Sequence, residues 1–258
     1  MLSKAEIQLI RSLNHKKYRS HYCLFVVEGN KLVREIIALN PGSIHSIYAS
    51  RDWLESLPHG TTDAVMCRAT GPEEMQRISF LKSPQEALAL LHQQVPEWNM
   101  QDIKGSISLV FDRIQDPGNA GTIIRIAHWF GIRTVICSPD SADIFNPKTI
   151  QATMGSFMHV NVFYRDLAVL LAEFTSLNDF CVYGTFPEGE NLYGQHLSTR
   201  GFIVLGNESK GISPALLPFI GKRLMIPSFS GFPRPDSLNV AMAAAIICSE
   251  LRRQGTAG

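Results

Sequence analysis

The chain has 258 residues, of which 45% are hydrophobic and 18% charged, with a formal net charge of +1. That length suits two domains or one large one, the composition supports a sizeable core, and the near-neutral charge excludes a chain-wide polycation. The five cysteines are widely spaced with no Cys-x-x-Cys pair, which points to buried free thiols in a reducing cytoplasm rather than to a metal site.

The N-terminus lacks the apolar core of a signal peptide, because Lys4, Glu6, Arg11 and Asn14 interrupt it. The longest apolar run, 240–248, is far too short to span a bilayer, so no membrane partner is expected. Residues 1–34 carry seven Lys and Arg against Glu6 and Glu28. Such a patch suits a polyanion or a solvated helix face, and charge alone leaves both open.

In chain order, residues 3–14 predict an amphipathic helix with a Ser3 cap, followed by a basic loop, His15-Lys16-Lys17-Tyr18-Arg19. A strand over 23–28, a helix over 30–39, strands over 44–49 and 64–67, and helices over 51–57, 72–78 and 84–91 complete a small α/β unit, residues 1–92. Residues 93–105 are polar and aperiodic and are expected to link it to a second unit, 106–258.

That second unit alternates strands and helices. Strands are expected over 107–111, 134–137, 160–163, 181–185, 202–205 and 224–226, with helices from Asn119 to the Gly131 stop, from the Asn146-Pro147 start, over 165–175, from Ser213-Pro214, and from the 237–239 region to the C-terminus. Short apolar strands between helices predict an α/β fold with a parallel sheet covered on both faces.

Three polar loops follow strands of this sheet, at the ends where open α/β sheets place their ligands. The first is Asp116-Pro117-Gly118-Asn119 with Arg125 beyond it. Asn119 alone reads as an N-cap, while Arg125, flanked by apolar residues, is either a snorkelling structural arginine or a cation aimed at a phosphate. The second is Leu205-Gly206-Asn207-Glu208-Ser209-Lys210-Gly211, whose glycines permit close backbone approach but match neither a dinucleotide fingerprint nor a Walker loop. The third runs from Ile226-Pro227 through Gly231, Pro233 and Pro235 to Ser237-Leu238-Asn239, with Asp236 or Ser237 as the expected N-cap of the last helix. His128 and His159 sit in apolar contexts that suit core or surface roles.

In this order the three loops closely resemble the motifs of the SpoU/TrmH-type RNA ribose 2′-O-methyltransferases of the SPOUT superfamily. The stretch Lys17-Tyr18-Arg19 through Phe25-Val26-Val27-Glu28-Gly29-Asn30-Lys31-Leu32-Val33-Arg34-Glu35, with Ser83-Pro84-Gln85, resembles the small substrate-binding domain of many members. The resemblance implies a C-terminal parallel-sheet domain with a deep trefoil knot, beside a small N-terminal α/β RNA-binding domain. It implies S-adenosylmethionine held largely by main-chain groups at Leu205, Gly206, Asn207, Gly211, Ile226, Leu238 and Asn239, with Arg125 catalytic, Asn119 and Glu208 orienting it, and Ser237 and Asn239 shaping the pocket. It implies a homodimer acting on a ribose 2′-hydroxyl of structured RNA, ribosomal rather than transfer RNA. Lys16, Lys17, Tyr18, Arg19 and Lys31 become candidate RNA contacts.

Residues 232–236 lengthen the third motif, and Ser228 and Ala241 depart from its usual pattern. The alternatives are a non-catalytic RNA-binding or ribosome-assembly factor on the same fold, transfer RNA as substrate and, more distantly, a nicotinamide-dependent oxidoreductase, which lacks its glycine fingerprint here.

Overall fold

A computed structural model describes residues 1–58, 60–61, 65–177, 180–230 and 237–255. The chain divides into two compact units, one of Met1–Val95 with Phe145–Met154 and one of Pro96–Ile144 with Gly155–Gly258. The expected boundary near residue 92 is close to the observed break, but Phe145–Met154 groups with the N-terminal unit, a long-range assignment that no local pattern announces.

In the N-terminal unit, α1 (Lys4–Ser12) starts in a capping box between Ser3 and Glu6. The expected basic loop is instead a helix, α2 (Lys16–Tyr22), closed by Cys23 in the left-handed region at φ 53°. Strands β1 (Leu24–Glu28), β2 (Ile44–Ala49), β3 (Met66–Ala69) and β4 (Ala87–His92) form a sheet in the order β1-β4-β2-β3. β4 runs antiparallel to both β1 and β2, while β2 and β3 are parallel.

β4 corrects the expected helix over 84–91. Ala-Leu-Ala-Leu-Leu favours helix by propensity, but five residues in succession are buried between two neighbouring strands, and tertiary burial overrides the local preference. Helices α3 (Asn30–Leu39), α4 (Arg51–Glu55) and α5 (Pro72–Ile78) complete the unit. Ile10, Leu13, Leu24, Val26, Tyr48, Ile78 and Leu88 are among its core residues. Phe145 lies 4.8 Å from Phe25, ring to ring, and leads into α8 (Pro147–Thr153), capped by Asn146.

The segment expected as a linker carries a short helix, α6 (Met100–Lys104), capped by Asn99. Strands β5 (Ile107–Asp112), β6 (Thr134–Cys137), β7 (Asn161–Tyr164), β8 (Cys181–Asn191), β9 (Gly201–Gly206) and β10 (Lys222–Met225) form a six-stranded parallel sheet in the order β10-β8-β9-β5-β6-β7. Helices α7 (Pro117–Trp129), α9 (Leu167–Thr175) and α10 (Val240–Gly255) belong to this unit, and α7 packs on α10. Pro214–Phe219 form a 3-10 helix where an α-helix was expected.

The chain leaves β5 toward β6 and β7 on one side and later returns as β9 on the other. The C-terminal ends of β5 and β9 therefore flank a switch point, the place where loops diverge and leave a crevice. The expected trefoil threading and the 232–236 insert involve residues 231–236, outside the described residues. Cys137 and Cys248 are buried as expected, whereas Cys23 is exposed and Cys67 and Cys181 are half-buried. No helix among the described residues is long and apolar enough to cross a membrane.

Candidate active site

The site is built where α7 and α10 begin and where β9 ends. Asp116, not Asn119, is the N-cap of α7, its carboxylate accepting the Asn119 N–H at 2.7 Å. This leaves the Asn119 side chain free for other partners. At α10 the cap is Asn239 rather than Ser237, with Asn239 Oδ1 accepting the N–H groups of Ala241 at 2.9 Å and Met242 at 3.4 Å. Ser237 is exposed, and Asp236 lies outside the described residues.

That cap orients a line of side chains. Helix N–H groups can only donate, so Asn239 must turn its oxygen to the helix and its Nδ2 outward. Nδ2 donates to Asn119 Oδ1 at 3.0 Å, and Asn119 Nδ2 in turn donates to Glu208 Oε1 at 2.9 Å. Residues 89 and 120 positions apart thus join one chain, running from a helix cap to a carboxylate with every amide orientation determined. Arg125 lies on α7 beyond Asn119, is exposed, and its side chain makes no hydrogen bond or ion pair among the described residues.

The Glu208 loop is held rigidly. Asn207 Oδ1 accepts from Ser209 N and Lys210 N, its Nδ2 donates to the Arg113 carbonyl at 2.8 Å, and its main chain pairs with Gly211. The side chain of Asn207 therefore organises the turn instead of facing a ligand. A Cβ on Gly206 would lie 2.5 Å from the Gly211 backbone, so only glycine fits there, whereas Gly211, at φ +65°, faces open space.

Leu205 is buried in β9, Ile226 is half-buried after β10, and Leu238 is half-exposed. Ser228, exposed, shares a hydrogen bond with Ser230, and Ala241 is buried in α10. His128 and His159 are exposed and stack on one another at 4.4 Å, with His128 bonded to Ser156.

Two residues that carried no motif hold the base of the site. Asp112, at the buried end of β5, accepts from both the N–H and the hydroxyl of Ser213. Arg113 follows it at φ 58°. A carboxylate closing a buried, mostly apolar strand was the signal in the sequence that pointed here.

Of the five candidate RNA contacts in the N-terminal unit, Lys16, Lys17, Tyr18 and Lys31 are exposed. Arg19 is the correction: it is 2% exposed, and its guanidinium donates to the carbonyls of Leu13 and Asn14 at 2.8 Å. In a loop it would point outward, but helix α2 turns it inward to tie down the α1–α2 connection. Among the described residues no group of three His, Cys, Asp or Glu is arranged to hold a metal.

Residues 106–249 match the SpoU rRNA Methylase family, and residues 4–89 match the MRM3-like substrate binding domain. RlmP of Bacillus subtilis, a 23S rRNA (guanosine(2553)-2′-O)-methyltransferase, is 30% identical over 243 residues, 94% of each chain. Human mitochondrial rRNA methyltransferase 3 is 24% identical, over 93% of this chain and 70% of that one. A TrmH-family protein from Porphyromonas gingivalis shares the fold at a TM-score of 0.85 and 38% identity, over 98% of this chain and 99% of that one. An AdoMet-bound rRNA methyltransferase from Sinorhizobium meliloti aligns at 0.83 and 28% identity, over 98% of this chain and 96% of that one. With a family match over more than half its length and a 30%-identical relative along almost all of it, this chain belongs to the SpoU rRNA methylase family.

Proposed function

We propose that this protein transfers a methyl group from S-adenosylmethionine to a ribose 2′-hydroxyl of ribosomal RNA. The observation that carries the reading is the Asn239–Asn119–Glu208 line, which ties the three motifs of the family together at the switch point of the sheet. The substrate class rests on the relatives, RlmP above all.

The residues present fit the cofactor. Gly206 brings the β9 end against the Gly211 backbone with no room for a side chain, and Ile226 and Leu238 offer apolar surface beside main-chain groups. Main chain on a rigid frame suits an adenine edge, and apolar side chains suit its faces. Leu205, Gly206, Gly211, Ile226, Leu238 and the Asn239 main chain are the proposed holders, and Asn207 acts by shaping their loop.

When bound, the sulfonium supplies an electrophilic methyl whose carbon–sulfur bond breaks as the ribose oxygen bonds to that carbon. The protein must align the hydroxyl with that carbon and accommodate the departing proton. Arg125 clamps the neighbouring phosphate and lowers the hydroxyl pKa. It does not accept the proton, since a guanidinium stays protonated to a pKa above about 12. The proton leaves to a phosphate oxygen or to water. Asn119 and Glu208 hold the start of α7, and with it Arg125, in position.

A homodimer belongs to this proposal, with Arg125 of one copy serving the site of the other. Exposed Trp129 on α7 and Met242 on α10 supply apolar surface for such a contact. On the N-terminal unit, Lys16, Lys17 and Lys31 are the proposed phosphate contacts and Tyr18 the stacking group.

The test is Arg125→Ala, assayed by methyl transfer to ribosomal RNA from cells lacking the gene and by calorimetry with the cofactor. Turnover is expected to fall about 1,000-fold with cofactor affinity unchanged. Lost affinity with high residual turnover overturns the assignment. Wild-type protein that binds the RNA but transfers no methyl overturns the catalytic reading.

A further inference from the structure

The proposed mechanism gives Arg113 no task. Arg113 is the first residue after β5, and its conformation is unusual. It adopts φ 58°, a left-handed backbone that glycine and asparagine tolerate and side chains such as arginine rarely adopt. The strain is held by three neighbours: Arg113 N–H donates to Ser138 Oγ at 3.0 Å, its carbonyl accepts from Asn207 Nδ2 at 2.8 Å, and its Nε donates to Asp112 Oδ1 at 3.2 Å.

Asp112 is itself buried and bound to Ser213, so the guanidinium is held through Nε from the base of the crevice. The side chain is only 25% exposed, yet its two terminal amino groups have no hydrogen-bond partner among the described residues. Asp140 accepts from Ser138. These amino groups are open to solvent, and a fork anchored through Nε with both terminal groups unpaired suits an anion. The carbonyl of Arg113 is one hydrogen bond from the turn that carries Glu208, whose carboxylate holds Asn119, so the Arg113 main chain adjoins the candidate site.

We infer that Arg113 is a substrate-binding residue whose terminal amino groups take an RNA phosphate next to the methylated ribose. The planar fork suits the two oxygens of a phosphate, and the Asp112 contact fixes its angle beforehand. This rests on the RNA methyl-transfer reading above and adds a second phosphate contact, distinct from Arg125, that sets how the strand lies across the site.

The experiment uses the full chain, an unmodified 23S rRNA transcript and the variants Arg113→Asn and Arg113→Lys. Asparagine accepts the left-handed backbone and keeps the main-chain bonds to Ser138 and Asn207, so folding is preserved and checked by thermal melting. The expected result for R113N is an RNA KM raised about tenfold and a slope of log affinity against log salt reduced by about one, with unchanged cofactor affinity. R113K restores the slope but only part of the KM, because a point charge replaces a fork. An unchanged RNA KM and slope in R113N overturns the inference. So does a loss of cofactor affinity, which would make the anion the cofactor's carboxylate. The slope needs no turnover, so if the wild type binds this RNA without methylating it, the catalytic reading fails while the Arg113 contact is still decided by R113N.

Discussion

The two units use polar residues in opposite ways. In the N-terminal unit, three of the arginines conspicuous in the sequence are engaged within the fold, while the lysines stay exposed. Arg19 is buried on main-chain carbonyls, Arg11 lies 5.1 Å over the Phe80 ring and donates to Ser79 O, and Arg34 lies 4.9 Å over Trp53. Of the two acids in residues 1–34, Glu28 is buried against Ser79 and Phe80, and Glu6 caps α1 and sits 3.5 Å from Arg68. In the C-terminal unit the polar residues of the three motifs bind each other across 89 and 120 positions, at the strand ends. A local excess of charge is therefore a poor guide to a site, because arginine packs as readily as it binds. Polar side chains joined across great sequence distance at a sheet switch point are a better one.

The comparison can be broken at Arg19. If it is structural, Arg19→Ala leaves two carbonyls unsatisfied and a void, and should cost about 3 kcal/mol in chemical denaturation. RNA affinity measured on the remaining folded fraction should be unchanged. A stable variant with weakened RNA binding would return Arg19 to the contact surface and undo the contrast.

It can be sharpened at Asn119. In Asn119→Asp a carboxylate would replace the amide that donates to Glu208. The two acids would repel unless they shared a proton. Methyl transfer at pH 8 is expected to fall about 100-fold, equivalent to about 3 kcal/mol, and to recover in part near pH 6. A flat pH profile for the variant would show that the side-chain line does not govern the site.

The smallest effect is expected at Glu28, whose burial raises its carboxyl pKa above the ordinary value, with the Ser79 and Phe80 bonds opposing. A raised acid binds its proton more tightly in the folded state than in the unfolded one. Its contribution is therefore most favourable below pH of about 4.5 and declines as pH rises through the folded value. Glu28→Gln should remove that decline, changing the stability difference between pH 5 and pH 8 by about 1 kcal/mol. The same pH dependence in variant and wild type would show that the group is not the source.

Much of the C-terminal unit was legible because its signals are local. Its strands β5, β6 and β9 are short apolar runs, and the motif loops follow the strands that precede them. In the N-terminal unit β4 was misread, since a leucine-rich run carries no period that separates a buried strand from a buried helix. The resemblance singled out Asn119 and Asn239 as proposed site residues, but Asn239's role as cap and the direction of each amide were not legible.

By itself the sequence determined the family, the parallel-sheet class of the catalytic unit and the three loops that build its site, because strand periodicity, turn residues and motif order are written along the chain. Only the tertiary structure decided that Arg19 is buried, that 87–92 is a central strand, that 145–154 joins the N-terminal unit, and that Asp112 and Arg113 underlie the crevice. Each of these depends on which distant groups satisfy a buried donor, acceptor or apolar face, and no window of neighbouring residues contains that partner.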